Sequence, residues 1–290
     1  MARAHGSRGH RAGVLRLLAA VLVAGAVLPA CSSAARTAGP TTPADPETAP
    51  APTTTSPTGS TGPARPGTLP PGSALPTDDD CAARIVPAAE TRPANQAFNA
   101  TKGQQKHIPE PWLDRVTGAY TGTTDEILQW GACKWGIDPD IVRAQAAKES
   151  YWNMQTYGDF GADPAACPAG HAIGVDGKRD QCPQSIGILQ IRYPYHGPPA
   201  GRATWPEAAA STAYNVDYTY ALWRSCYEGD LTWLNTTERR GTYAAGDAWG
   251  CLGVWFSGRW HTEPADAYID AVRSYDDQQV WLTNSFRTAH

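Results

Sequence analysis

The distribution of aromatic residues divides this chain into two unequal parts. Residues 1–80 contain no Phe, Tyr or Trp, whereas residues 81–290 hold all 27 of them. A segment without aromatic side chains, rich in Pro, Thr and Ala, buries too little apolar surface to offset the entropy lost on ordering. Residues 81–290 are therefore expected to form the folded part, because that length is enough for one domain that buries roughly 70% of its unfolded surface.

The charge of the expected domain argues against a nucleic-acid ligand. Residues 81–290 carry 18 Lys and Arg against 23 Asp and Glu. Proteins that bind the phosphate backbone present an excess of basic side chains to it. The composition therefore predicts no nucleic-acid partner.

Residues 1–30 have the organisation of an export signal. Four Arg and no acidic residue precede an apolar run over residues 17–27, which is too short to predict a membrane-spanning helix. Residues 28–31 read Leu-Pro-Ala-Cys and resemble a bacterial lipobox, in which the Cys is lipidated and becomes the mature N-terminus. We expect a lipid on Cys31; the alternative is an ordinary signal peptide that ends near a Cys.

Residues 31–80 are expected to consist of the lipidated Cys31 and a disordered linker. Eleven of the 49 residues in 32–80 are Pro, and Thr, Ala, Ser and Gly make up much of the rest. Such a composition favours an extended chain, which in polyproline-like conformation spans roughly 150 Å. The prediction is an exported domain that is held at a membrane of the cell envelope through its lipid.

Six further Cys residues lie in the expected domain. An even number of Cys in an exported domain indicates disulfides, although six residues allow fifteen pairings. No C-x-x-C motif is present and the His residues have no ligand-like spacing, so no metal site is predicted. One pair closes a loop rich in Gly and Asp, a second joins the ends of two successive helical stretches, and the third is what remains: Cys167–Cys182, Cys226–Cys251 and Cys81–Cys133.

Apolar residues recur at helical spacing through most of the expected domain. A helix is predicted from Thr124 to Gly136, and Asp138-Pro139 is a start signal for a second helix that runs to about Ser150. The fold class is therefore mostly α, a single disulfide-linked domain. The remaining predicted elements are a long loop over 154–184, a short strand at Ile188–Ile191, helices over about 206–227 and 246–256, and a last helix from Thr262.

Two motifs carry the chemistry of this sequence. The second helix ends in Glu149-Ser150, and the long loop is closed by the Gly-Ile-Leu-Gln segment at 187–190. Together they resemble the lysozyme-like superfamily, specifically the soluble lytic transglycosylases and goose-type lysozymes. Weaker matches follow in the same order at Asn215 and at residues 254–258, where Trp255 and Phe256 stand in place of the family's Tyr and Asn. The resemblance covers about residues 124–275 and implies a lysozyme-like fold for 81–290.

Glu149 is the candidate general acid. Glycoside cleavage needs a carboxyl group that is protonated at working pH, and burial beside aromatic residues such as Tyr151 and Trp152 raises a carboxyl pKa. A carboxylate in the last turn of a helix is also disfavoured by the helix dipole. The alternative is a solvated Glu paired with Lys148 or Arg143. The resemblance favours the catalytic role.

Asp159 is the candidate second carboxylate. Its surroundings, Gly158-Asp159-Phe160-Gly161, resemble the Gly-Asp-x-Gly of goose-type lysozymes, in which an Asp positions water. A water held by Asp159 would give hydrolysis. If Asp159 is only a turn residue, one acid suffices and a sugar hydroxyl closes an anhydro ring, which is transglycosylation.

Five residues are expected to contact substrate through amide, hydroxyl or aromatic groups: Gln190, Tyr193, Asn215, Trp255 and Ser257. The expected function is cleavage of β-1,4 links between N-acetylmuramic acid and N-acetylglucosamine in peptidoglycan, by a monomer without cofactor. Two alternatives stay open: an inactive lysozyme-like module that binds wall glycan or a partner protein, and a chitinase-type hydrolase.

Overall fold

The fold was taken from a computed structural model, which is mostly helical in the part that it describes. Cys31, the expected signal and most of the expected linker lie outside the described residues. All described residues belong to one unit, Ser60–His290. The described ranges are 67–87, 111–168, 170–196, 204–236 and 242–288.

Local capping signals set the ends of the two helices that carry the first motif. Thr123 accepts a hydrogen bond from the Glu126 backbone and forms a capping box, and Gly136 ends the helix with a φ of 62°. Asp138 caps the next helix, which has Pro139 in its first turn. Both predicted helices are confirmed. The α-helices are α1 Asp78–Ala82, α2 Thr124–Trp135, α3 Pro139–Ser150, α4 Tyr193–His196, α5 Glu207–Ala210, α6 Thr212–Glu228, α7 Ala248–Ser257, α8 Glu263–Asp277 and α9 Asn284–Thr288.

Three short strands form a small antiparallel sheet inside the region predicted as loop and strand. They are β1 Tyr157–Gly158, β2 Ser185–Ile186 and β3 Ile191–Arg192, in that spatial order. Tyr157 pairs with Ile186, which also pairs with Ile191. The expectation of a strand over Ile188–Ile191 was wrong, because residues 187–190 form the turn between β2 and β3 and do not alternate between two faces: Ile188 and Leu189 are both buried.

The helix expected over 206–227 is two helices. Ser211 has an extended backbone, and its hydroxyl accepts a hydrogen bond from the Tyr214 backbone, so α6 starts there as a new helix. Ser is a preferred capping residue, and the apolar spacing from Tyr214 onward hid this signal. The helix expected over 246–256 is α7, which Asp247 caps, and the helix expected from Thr262 is α8.

Helix packing brings the ends of distant segments together. Helix α2 packs on α3 and α6, while α8 packs on both α3 and α7. Large side chains of these helices have almost no exposed surface: Trp135 of α2 donates to Asp217 of α6, and Tyr220 of α6 donates to Gln145 of α3. Helices α3, α7 and α8 therefore meet, and their contact region is where the candidate site lies.

Asp217 in α6 is a fully buried carboxylate that joins several segments. It accepts hydrogen bonds from the Thr117 and Gly118 backbones, from the Trp135 indole at 2.8 Å and from Lys134 Nζ at 2.8 Å. Lys134 is itself 1% exposed. A buried charge is tolerated only when it is paired and hydrogen-bonded, and Asp217 meets both conditions.

Residues 67–80, which the sequence analysis assigns to the linker, are part of the folded unit. The buried Arg224 guanidinium donates to the carbonyl oxygens of Leu69 at 3.1 Å and Pro70 at 2.9 Å. The Leu69 backbone also donates to Gly136 at 2.8 Å. The boundary expected at residue 80 was therefore wrong: it relied on the lack of aromatic residues, whereas a cation in α6 holds this segment through its backbone.

The three disulfides are those expected. Cys81–Cys133, Cys167–Cys182 and Cys226–Cys251 have Cα separations of 5.6, 5.8 and 5.7 Å. They join α1 to α2, close the loop before β2, and join α6 to α7. Among the described residues, no helix combines the length and the apolar character that crossing a membrane requires.

Candidate active site

Glu149 lies in the last turn of α3, directly before a turn of unusual backbone conformation. Tyr151 and Trp152 both have positive φ values, 56° and 61°, which are uncommon for residues other than Gly. The buried Phe286 of α9 packs on both rings, with centroid distances of 4.8 and 5.2 Å. The C-terminal helix thus holds the turn that fixes the end of α3.

Glu149 is partly buried where α3 packs on α8. Tyr268 of α8 donates its hydroxyl hydrogen to Glu149 Oε1. Burial raises the pKa of Glu149 to about 7; the hydrogen bond from Tyr268 and the charge of Lys148 lower it, and the charge of Asp159 raises it. The carboxyl group is therefore half protonated near neutral pH, as a general acid requires.

Two buried tyrosines surround the carboxyl group from α6 and α8. Burial raises the pKa of both Tyr220 and Tyr268 well above the usual value, and the charge of Glu149 raises both further. Tyr220 donates to Gln145 Oε1 at 2.8 Å, one helical turn before Glu149. Both phenols stay protonated at neutral pH, so Tyr268 remains a hydrogen-bond donor to Glu149.

The structure brings the two sequence motifs together. Ser150 Oγ donates to the Ile188 carbonyl oxygen at 2.9 Å, which attaches the end of α3 to the 187–190 turn. The Trp255 indole donates to the Leu189 carbonyl oxygen at 3.1 Å. Residues 187–190 are thus held by hydrogen bonds from both α3 and α7. The indole N–H of Trp255 is used in a hydrogen bond within the protein.

Asn215 is a structural residue and does not have the substrate-binding place expected for it. It is completely buried in α6. Its Oδ1 accepts from the Leu189 backbone, and its Nδ2 donates to the carbonyl oxygens of Ile186 and Ala208. The amide makes three hydrogen bonds to backbone, and therefore sets the shape of the 187–190 turn.

Ser257 also uses its hydroxyl group within the protein. Its Oγ donates to the Gly253 carbonyl oxygen at 2.8 Å and accepts from the Arg259 backbone at 3.1 Å. These bonds close the last turn of α7, and the substrate contact expected of Ser257 stays a prediction.

Gln190 and Tyr193 both lie partly exposed beside the sheet. Gln190 has a φ of 52°, and its Nε2 donates to the carbonyl oxygens of Thr156 and Gly187. The Tyr193 ring makes an edge contact with Trp205 at 6.3 Å. Gln190 therefore braces the turn through its amide nitrogen, and Tyr193 belongs to an aromatic group at the sheet edge.

Asp159 follows β1 and is exposed. Its φ is 49°, Ser185 Oγ donates to its Oδ2, and Arg192 Nε lies 3.6 Å from the same oxygen. Since its charge raises the pKa of Glu149, the two carboxyl groups interact. Side chains of β2 and β3 thus hold a second carboxylate whose charge acts on Glu149.

Two residues of the site escaped the sequence analysis. Tyr268 lies 119 positions after Glu149, and in the sequence it appears only as one of the apolar residues of α8. Phe256 stacks on Tyr268 with a centroid distance of 4.6 Å and an interplanar angle of 2°. The sequence does carry one signal for this part of the site: Trp255 and Phe256 stand where the family that the chain resembles has Tyr and Asn.

Gly187 allows a direct test of the 187–190 turn. Its φ is 88°, and a Cβ there would lie 2.2 Å from Asn215 Nδ2 and 2.9 Å from Met154 Cε. Gly174 has a φ of 86° but open space around its Cβ position. Both Ala variants are expected to lose about 1 kcal/mol to the backbone conformation, and Gly187→Ala a further 1–3 kcal/mol to overpacking. Urea unfolding measures the difference; equal losses would contradict the packing described for Gly187.

Comparison with protein-family models, with curated proteins and with solved structures finds no match for this chain. Within the described ranges, no group of three or more His, Cys, Asp or Glu side chains is placed to hold a metal ion. The geometry around Glu149 and the two motifs are therefore the features that bear on function.

Proposed function

We propose that this chain cleaves the β-1,4 glycosidic links of peptidoglycan between N-acetylmuramic acid and N-acetylglucosamine, with Glu149 as the general acid. The observation that carries the proposal is the joining of the two motifs at one place. Ser150, next to Glu149, bonds to the 187–190 turn, while Tyr268 holds the Glu149 carboxyl group. The lysozyme-like resemblance rests on the same residues.

The chemistry begins with proton donation. Glu149, protonated, gives its proton to the glycosidic oxygen while the bond from that oxygen to the anomeric carbon breaks, and the electron pair of that bond stays on the leaving oxygen. Tyr268 then donates a hydrogen bond to the carboxylate that remains. Burial, which holds the proton on Glu149 up to about pH 7, makes the group an acid under the conditions of a cell wall.

The second step distinguishes hydrolysis from transglycosylation. A water held by Asp159 would add its oxygen to the anomeric carbon and return a proton to Glu149, leaving a reducing end. Without that water, the 6-hydroxyl of the muramic acid adds to its own anomeric carbon, with the same proton returned to Glu149, and leaves a 1,6-anhydro end. Asp159 is exposed and held by Ser185 and Arg192, which supports a positioning role for its carboxylate.

Residues 1–80 fit the location that this activity needs. A lipid on Cys31 followed by a Pro-rich segment would hold the enzyme at a membrane while allowing it to reach the wall. Residues 67–80 belong to the folded unit, so these 14 residues do not contribute to the tether that the sequence predicts over 32–80.

A digestion experiment tests the proposal. The 290-residue chain is incubated with purified peptidoglycan and, separately, with chitin oligomers, and the products are identified by mass spectrometry. Soluble fragments from peptidoglycan are expected. Anhydro ends would identify transglycosylation and reducing ends hydrolysis. If only chitin gives products, chitin and not peptidoglycan is the substrate. If neither polymer gives products, the proposed activity is contradicted.

A further inference from the structure

Phe256 is an exposed apolar residue at the end of a buried helix. In α7, residues 250–254 are buried and Trp255 is partly buried, but Phe256 keeps 54% of its surface exposed. Burying a Phe side chain typically stabilises a protein, so the exposed ring contributes less to the fold than its size allows. A single exposed apolar residue is ordinary on its own, and its position decides what it means.

Phe256 packs against Tyr268, the residue that hydrogen-bonds to the proposed acid, Glu149. Its ring is parallel to the ring of Tyr268, with centroids 4.6 Å apart. The hydroxyl group of Tyr268 is bonded to Glu149. Phe256 therefore lies one side chain away from the proton donor, on the exposed side of the buried Tyr268.

The stack leaves one flat face of Phe256 available. Because the ring is parallel to Tyr268, that contact covers one face, while 54% of the surface of Phe256 stays exposed. An aromatic face offers an apolar, electron-rich surface, which fits the C–H groups that project from one side of a pyranose ring. Ligand sites commonly combine such an aromatic surface with a few fixed polar groups, here the carboxyl groups of Glu149 and Asp159.

We propose that Phe256 is a sugar-stacking residue, whose free face binds the C–H face of one pyranose ring of the glycan next to the link that Glu149 protonates. The inference rests on the proposed function and extends it to a specific contact. At this position the lysozyme-like resemblance has a polar Asn. In this chain stacking takes the place of a hydrogen bond, so this part of the substrate is bound by shape and apolar contact.

The test measures binding without turnover. The 290-residue chain with Glu149→Gln is titrated with chitotetraose and with a tetrasaccharide of alternating N-acetylglucosamine and N-acetylmuramic acid, using isothermal calorimetry. Adding Phe256→Ala is expected to weaken binding of the better probe about 10-fold, and Phe256→Tyr to leave it within about 3-fold. Phe256→Leu, which still covers Tyr268 but lacks a flat face, is expected to behave like the Ala variant.

Controls separate stacking from other roles of Phe256. Glu149→Gln removes the acid, so any effect of Phe256 on the pKa of Glu149 cannot change the measured affinity. Trp233→Ala removes another exposed aromatic ring, 48% exposed, and is expected to leave binding unchanged. Near-ultraviolet circular dichroism checks that each variant is folded.

The outcomes distinguish this inference from the proposed function. The parent in this test is the chain that carries Glu149→Gln alone. If the Phe256→Ala or the Phe256→Leu chain binds as tightly as this parent, the stacking contact is overturned and the proposed cleavage activity is unaffected. If the parent binds neither oligosaccharide, the glycan substrate is wrong and the stacking contact falls with it. A loss of affinity with Ala and Leu but not with Tyr supports the inference, whichever product end the enzyme makes.

Discussion

The Glu149→Gln variant is expected to be more stable than the parent chain by about 3 kcal/mol above pH 7, although it removes the proposed catalytic acid. Burial raises the pKa of Glu149 to about 7 from an ordinary value of 4.5. Between these pH values the folded chain holds a proton that the unfolded chain has lost, so stability falls as pH rises. Above pH 7 both states are ionised and the full cost of the buried charge is present.

Gln avoids this cost, since it is neutral at every pH and its carbonyl oxygen can accept the hydrogen bond from Tyr268. Urea unfolding of both chains at about pH 4 and pH 8 measures the effect. The gain is expected to be near zero at the lower pH and complete at the higher one. Glu263→Gln, at an exposed position in the first turn of α8, is the matched control without a pH-dependent gain. A gain that does not change with pH would contradict the burial of the carboxyl group.

Asp217→Ala is expected to have the largest effect on stability, a loss of about 3–5 kcal/mol. The change leaves the buried Lys134 with Asp78 as its remaining carboxylate partner, 2.8 Å away. It also removes the acceptor of the Trp135 indole and of two backbone N–H groups. Each buried donor that loses its partner adds to the cost.

Chemical unfolding of the variant against the parent chain gives the measurement. Asp217→Asn keeps an acceptor but removes the charge, so a smaller loss of stability is expected. This variant supplies the measurement if the Ala variant does not fold. Asp270→Ala is the control, because the side chain of Asp270 is 77% exposed and such surface changes alter stability by about 0.5 kcal/mol or less. A loss below about 1 kcal/mol for Asp217→Ala would show that the buried network is not needed for the fold.

The parts of the fold with local signals could be predicted from the sequence. Gly136 ends α2 and Asp138-Pro139 starts α3 because caps depend on a few neighbouring residues. Two disulfide pairs were expected from the spacing of Cys and helices, and the third pair was the one that remained. The Ser211 cap was missed because helical apolar spacing continues across it, and the two signals compete.

Contacts between distant residues account for what the sequence did not reveal. Tyr268 and Glu149 meet because α8 packs on α3, and no local pattern in either helix indicates that contact. Residues 67–80 are held by Arg224, about 155 positions away along the chain, through backbone atoms that are the same in any sequence. Asn215 was predicted to face substrate because an amide suits that role, whereas the fold uses it for backbone hydrogen bonds.

If Glu149 donates the proton that breaks a glycan link, as proposed, the rate of peptidoglycan cleavage depends on its carboxyl group. The release of soluble fragments by the parent chain and by the Glu149→Gln variant is followed at about pH 6, where Glu149 is mostly protonated. We expect cleavage by the parent chain and a rate about 10²–10⁴-fold lower for the folded variant, the usual contribution of a general acid. Equal rates for the two folded chains would contradict the claim.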